Sequence, residues 1–169
     1  MKIDIDLSAS SFLNAAAELR KYADSLQGKA EQLVQQLGDK GVEMATMHYL
    51  DVPYDSKHVD TGKTLNSIQF NREGSTGTVS VGGAAVWIEF GTGVVRNGGG
   101  GHPKKGELGM SDWGTYDHGH GADPNGWWYP SRDGYSHTWG IEMNPFMYST
   151  SQDIRRDLLK TAKEVFKSD

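Results

Sequence analysis

The sequence predicts an α+β fold: a small antiparallel sheet packed against a long N-terminal helical region and a C-terminal helix, with a long Gly/Trp-rich loop inserted. Three observations carry this. Apolar residues recur at helical intervals through the first third of the chain, short alternating runs follow, and a second helical stripe persists to the C-terminus. The 169 residues suit one domain. Its expected parts are a strand plus helical region (1–52), a hairpin core (60–90), the loop insertion (91–126), an aromatic strand pair (127–141) and the last helix (144–167).

At the start, Ile3, Ile5 and Leu7 alternate with Asp4 and Asp6, the pattern of a short half-buried strand. Ser8 or Ser10 can cap the helix that follows, whose stripe of Phe12, Ala15, Ala16, Leu19, Ala23 and Leu26 predicts one buried face. Ala30, Leu33, Val34 and Leu37 extend it past Gly28, and Met44 and Ala45 extend it past Gly38 and Gly41. One bent helix or two consecutive helices fit equally, ending before Pro53. Asp60 or Thr61 can cap a short helix at Gly62, with Leu65 and Ile68 pointing inward. Ile68 and Phe70, then Val79 and Val81, form the buried faces of a hairpin connected through residues 73–77. AAVWIEFGTG is apolar apart from Glu89, and Gly91 and Gly93 would let the chain leave the sheet at positive φ. Beyond the loop, WWYP and YSHTW read as a strand pair around residues 131–134. Asn144 can cap the last helix, Pro145 suits its first position, and Met147, Ile154, Leu158, Ala162, Val165 and Phe166 carry its stripe.

Composition excludes more than it assigns. The net charge is −5, which argues against a dedicated nucleic-acid binder. No apolar run approaches a membrane span, and MKIDIDLSAS lacks a signal-peptide core, so the expectation is a soluble product of the cytoplasm. The absence of Cys removes disulfides, thiolate metal sites and Cys nucleophiles.

Twelve of the 22 glycines fall in residues 91–126, a stretch with no traceable hydrophobic period, and a loop of that length is uncommon in a compact domain unless it is functional or disordered. It is not a phosphate loop: there is no GxxxxGK[ST], Lys104 follows Pro103, and Arg96 stands where a dinucleotide fingerprint needs its third Gly. His102, His118, His120 and His137, with Asp112, Asp117 and Asp123, are the metal candidates, and Asp117, His118 and His120 are the tightest group. No HExxH supports them, ordinary loop composition explains them as well, and no metal or other cofactor is expected. No GxSxG occurs, and Glu89 has no second carboxylate, so it reads as a buried hydrogen-bonding group or an interface residue rather than a catalytic one. The chain is therefore not expected to be an enzyme. The aromatics Trp113, Tyr116, Trp127, Trp128, Tyr129, Tyr135 and Trp139 gather in and after the loop. They form either a local cluster pinning the loop to the sheet or an interface, for which Trp113, Trp127, Trp128, Tyr129 and Trp139 are the candidates.

Three segments occur in a telling order: Val59-Asp60-Thr61-Gly62-Lys63-Thr64-Leu65-Asn66-Ser67-Ile68, Trp87-Ile88-Glu89-Phe90-Gly91-Thr92-Gly93, and Asn144-Pro145-Phe146-Met147. Their order resembles the gene-product-ten-like neck and tail-component family of long-tailed (siphovirus-type) phages and prophages. Within the loop, His102-Pro103, His118-Gly119 and Gly126-Trp127-Trp128-Tyr129 are similar to the version in prophages of Gram-positive bacteria. The likeness spans about residues 5–165, and the order of the motifs is more specific than any one of them. Two features depart from the family: Glu142-Met143-Asn144 stands where relatives commonly carry Pro and Arg, and Gly98–Gly101 form an unusual four-glycine run.

The resemblance implies a structural virion protein at the head–tail junction, assembled in the host cytoplasm. It implies a homo-oligomeric ring, hexamer or dodecamer, that joins the head-closure or connector protein to the tail-terminator or tail-tube protein. It also marks Asp60, Thr61, Gly62, Leu65, Ile68, Glu89, Phe90, Gly91, Thr92, Gly93, Pro145 and Phe146 as family-motif positions. DNA would be passing cargo only, which an acidic wall suits by repelling it, and no membrane is involved. The alternatives are a tail terminator that caps the tube, a prophage module binding cell-wall carbohydrate on its Trp residues, and, more remotely, a metal hydrolase.

Overall fold

The computed structural model describes residues 8–51, 62–93, 102–104, 106–107 and 123–167. The fold is α+β. Helix α1 (Ala9–Leu50) leads to a 3-10 turn (Leu65–Ser67), the hairpin β1 (Gln69–Glu73) and β2 (Thr76–Ser80), and the short helix α2 (Ala85–Phe90). The second hairpin, β3 (Trp127–Ser131) and β4 (Gly134–Thr138), precedes helix α3 (Phe146–Lys167).

Both hairpins are antiparallel, but they form two separate two-stranded sheets instead of the single sheet expected. The expected strand at residues 3–7 lies outside the described residues.

Of the two readings of the N-terminal stripe, the structure adopts one helix, uninterrupted by Gly28, Gly38 or Gly41. Ser8 caps it, its Oγ accepting from Ser11 N at 3.2 Å. At Gly38 and Gly41 neighbours occupy the space of the missing side chains. A Cβ at Gly38 would run into the Phe70 ring, and one at Gly41 would meet Val79 Cγ2 at 2.8 Å. In register, Phe70 lies opposite Val79, so both point from one hairpin face onto α1. The connection tightens to Gly74-Ser75, shorter than the predicted 73–77 link, because residues 73 and 76 still pair.

Helix α3 runs antiparallel to α1. Asn144 Nδ2 reaches His48 O at one end, His48 Nε2 lies 2.7 Å from Asp153 Oδ2, and Lys40 Nζ donates to Thr161 further along. The hairpin, α1 and α3 leave between them a cleft of about 320 Å³ lined by Val34, Phe70, Val79 and Ile154 among others. The main core lies at the other end, where Ala45, Ile68, Ala85, Ile88 and Phe146 are buried together. Tyr49 meets the Phe146 ring edge-on at 5.4 Å.

One expectation for α1 is overturned. Residues 12–28 are exposed except for Ala15, so the stripe read as a buried face leaves Phe12, Leu19 and Leu26 in solvent. Periodicity identified the apolar face, but no described element covers it. The first half of α1, the arm, has no described element packed along it, although Ala15 within it is buried. No helix among the described residues is long and apolar enough to cross a membrane.

Candidate functional site: a buried node and an exposed aromatic hairpin

The motif residues converge on one buried node. Residues 85–90 form a helix rather than continuing the hairpin core, because the segment is tied back on both sides. Thr64 is fully buried, and its Oγ1 accepts from Ala84 N at 3.1 Å. Ser67 Oγ donates to Thr64 O and accepts from Gly82 N. Leu65 and Ile68 point into the core as expected, half-buried and buried respectively. Gly62 takes φ +78, while Asp60 and Thr61 lie outside the described residues.

Glu89 is buried at the C-terminal end of α2 and faces the start of α3. Its Oε2 accepts from Met147 N at 2.8 Å, and its Oε1 accepts from Tyr148 N at 2.9 Å. A carboxylate from another element therefore fills the capping role at α3, where the free N–H groups and the positive end of the helix dipole favour it. His102 Nε2 lies 3.2 Å from Glu89 Oε1, while His102 Nδ1 accepts from Lys104 N at 3.1 Å. That second bond fixes the tautomer: Nδ1 has no proton to give, so Nε2 carries it and donates to Glu89. The Phe90 ring packs against the His102 ring at 4.3 Å between centroids, the two planes inclined at 57°.

Asn144 does something other than cap α3. Its Nδ2 donates to His48 O at 3.2 Å, covering a carbonyl at the C-terminal end of α1. Pro145 precedes the first residue of α3 instead of forming its first turn, and Phe146 behind it is fully buried.

Where the sequence suggests that the chain leaves a sheet, it leaves α2 instead, and that exit is equally tight. Thr92 and Ile141 form an antiparallel bridge, with N–H···O bonds of 2.9 and 3.1 Å in the two directions. Gly91 (φ +70) and Gly93 (φ +82) have the positive φ that the sequence predicted. A Cβ on Gly91 would come within 2.6 Å of Met143 N. Described positions from all three motif segments thus pack into one joint.

The hairpin β3–β4 leaves this joint and shows a different surface. Trp128 pairs with His137 and Pro130 with Tyr135, so these side chains share one face. Trp128 is 65 % exposed, Tyr135 73 % and Trp139 51 %. His137 lies between the indoles of Trp128 and Trp139, centroids 5.0 and 4.6 Å away, both edge-to-face. Of the other interface candidates, Tyr129 is exposed on the opposite face, Trp127 is half-buried, and Trp113 lies outside the described residues. The described aromatics here are therefore not a buried cluster.

The metal reading loses its described members. His102 has both ring nitrogens engaged, His137 packs between tryptophans, and Asp123 Oδ1 accepts from Asn125 N in a local turn. Among the described residues no group of three His, Asp or Glu is placed to hold a metal. Asp112, Asp117, His118 and His120 lie outside those residues. Sequence reasoning missed the Glu89–His102 pair and the capping of α3. A buried carboxylate without a partner in an apolar run was the available signal, but its partners lie 13, 58 and 59 residues away.

Comparison with protein-family models, curated proteins and solved structures finds no match to the chain.

Proposed function

We propose that this chain is a non-enzymatic virion protein of the phage head–tail junction, forming a ring that joins the head connector to the tail. The observation that carries the reading is the aromatic face of β3–β4, presenting Trp128, Tyr135 and Trp139 to solvent from a hairpin rooted in a rigid joint. Exposed Trp and Tyr supply large contact area at little entropic cost, and they concentrate where proteins bind one another. A ring of identical subunits needs two different patches that meet, and this face supplies one of them. The order of the motifs supports the phage assignment, and the node gives those motifs a physical reason: they anchor residues 139–143, which lead out of the hairpin.

The carbohydrate reading fits the same face less well. The rings around His137 meet edge-to-face and so make a shaped surface, not a flat platform for a sugar ring.

The test is electron microscopy of the purified protein mixed with connector and tail-tube proteins, alongside deletion of its gene from the phage. Rings bridging the two, and unjoined heads and tails in the deletion, are the expected results. Trp128→Ala with Tyr135→Ala should abolish ring formation while changing folding stability by less than about 0.5 kcal/mol per site. Overlong tails in the deletion would assign the tail-terminator role instead, and normal joined particles would overturn both.

A further inference from the structure

We infer that the arm of α1 pairs with the arm of a second copy of this chain, as a closely packed antiparallel two-helix coil. Phe12, Leu19 and Leu26 are 54 %, 55 % and 38 % exposed, and nothing lies within 4 Å of a Cβ built at Gly28. The β1–β2 hairpin ends near this point, where Arg72 reaches Glu31 at 3.1 Å. The arm beyond it follows a strict seven-residue repeat. Ala9, Ala16, Ala23 and Ala30 occupy one position of it. Phe12, Leu19, Leu26 and Leu33 occupy the position three residues on. Apolar residues at these two heptad positions over four repeats mark a coiled-coil seam.

The choice of a second copy comes from the order of small and large residues. One antiparallel register sets Ala9 against Leu33 of the second copy, Ala16 against Leu26, Ala23 against Leu19 and Ala30 against Phe12. Every layer then pairs a small side chain with a large one, so the surfaces interlock without voids. A parallel pair would stack alanine on alanine and leave hollow layers. The same patch serves both copies and closes at two, which is the definition of a two-fold contact. The arm is about 33 Å long and a helix about 10 Å across. Such a pair withdraws on the order of 1,200 Å² in total, the lower end of the range for specific interfaces. The contact leaves the aromatic hairpin unused and does not rest on the virion reading.

Sedimentation of the full chain over a range of concentrations tests it, and a monomer–dimer equilibrium in the micromolar range is expected. Leu19→Glu with Leu26→Glu should weaken the dimer about a hundredfold or more, because each seam would bury charge. Thermal unfolding of the body, monitored in the same variant at dilution, should be unchanged. Because the chain has no Cys, single thiols report geometry directly. Tyr22→Cys lies near the two-fold and should link copies through a short bis-maleimide, whereas Phe12→Cys should not. A chain monomeric at every concentration, linkage at Phe12→Cys without linkage at Tyr22→Cys, or association untouched by the double Glu variant would each overturn the proposal.

Discussion

Gly28 and Gly38 stand ten residues apart on the same helix and face opposite surroundings. At Gly38 the Phe70 ring fills the space of a missing side chain, whereas nothing approaches Gly28 within 4 Å. The contrast extends to the whole molecule. Around Phe146 the polar groups are answered: the first N–H groups of α3 by Glu89, a carbonyl at the end of α1 by Asn144, and the Glu89 carboxylate further by His102. The arm and the β3–β4 hairpin instead leave their largest apolar side chains in water. The body is fitted to itself, and the two other regions leave apolar side chains exposed.

Substitutions at four sites test that division. The largest effect is expected at Glu89. Glu89→Ala leaves Met147 N, Tyr148 N and the His102 ring without their acceptor, and should cost about 3 kcal/mol in urea unfolding. Glu89→Gln, which keeps the volume but loses the charge, should cost about half as much. Next is Gly38→Ala. Alanine ordinarily favours a helix, yet here its methyl displaces Phe70, so a loss of about 2 kcal/mol is expected. The same change at Gly28 should reverse sign and add about 1 kcal/mol, read as greater helicity by circular dichroism. A loss at Gly28 would mean that the arm is packed.

The smallest effect is expected at the clasp between the long helices. The hydrogen bond from His48 holds the Asp153 carboxyl below its usual range, with Arg156 adding to the pull. A depressed carboxylate stabilises the fold above its unfolded pKa, about 3.9, and that contribution is lost as pH falls through the lower folded value. Asp153→Asn should therefore cost about 0.5 kcal/mol near neutral pH. The difference from the unmodified chain should vanish in acid titrations of thermal stability.

The parts of the fold legible in the sequence were those written in local patterns. The alternation in QFNRE and TGTVS, the WWYP and YSHTW pair, and the stripe of α3 all give the right elements, because each pattern is complete within its own segment. Residues 85–90 misled because a six-residue apolar run shows no period, and what makes it a helix is Thr64, some twenty residues earlier. Asn144 looked like a cap for α3 and binds α1 instead, since its partner carbonyl is 96 residues away. The arm failed in the other direction: its stripe was read correctly, but no segment of the described chain completes it. The glycines at positions 91 and 93 were legible as turns, though not as contact points, since the backbone they touch belongs to residues 139–143.

The bridge between Thr92 and Ile141 has a consequence for how this chain tolerates change. The segment between residues 93 and 123 is tied to the joint at described points: Gly93 packs against Trp139 and Gly140 beside the bridge, and His102 within it bonds to Glu89. The cost of closing a loop rises only about 0.6 kcal/mol for each doubling of its length. An insertion between residues 107 and 123, which leaves the bridge and the His102–Glu89 bond in place, should therefore cost the rest of the molecule little, whereas an exchange that removes His102 should not. Related chains could diverge there in the partners they recognise while keeping one frame, and an experimenter could use the same position to insert a tag.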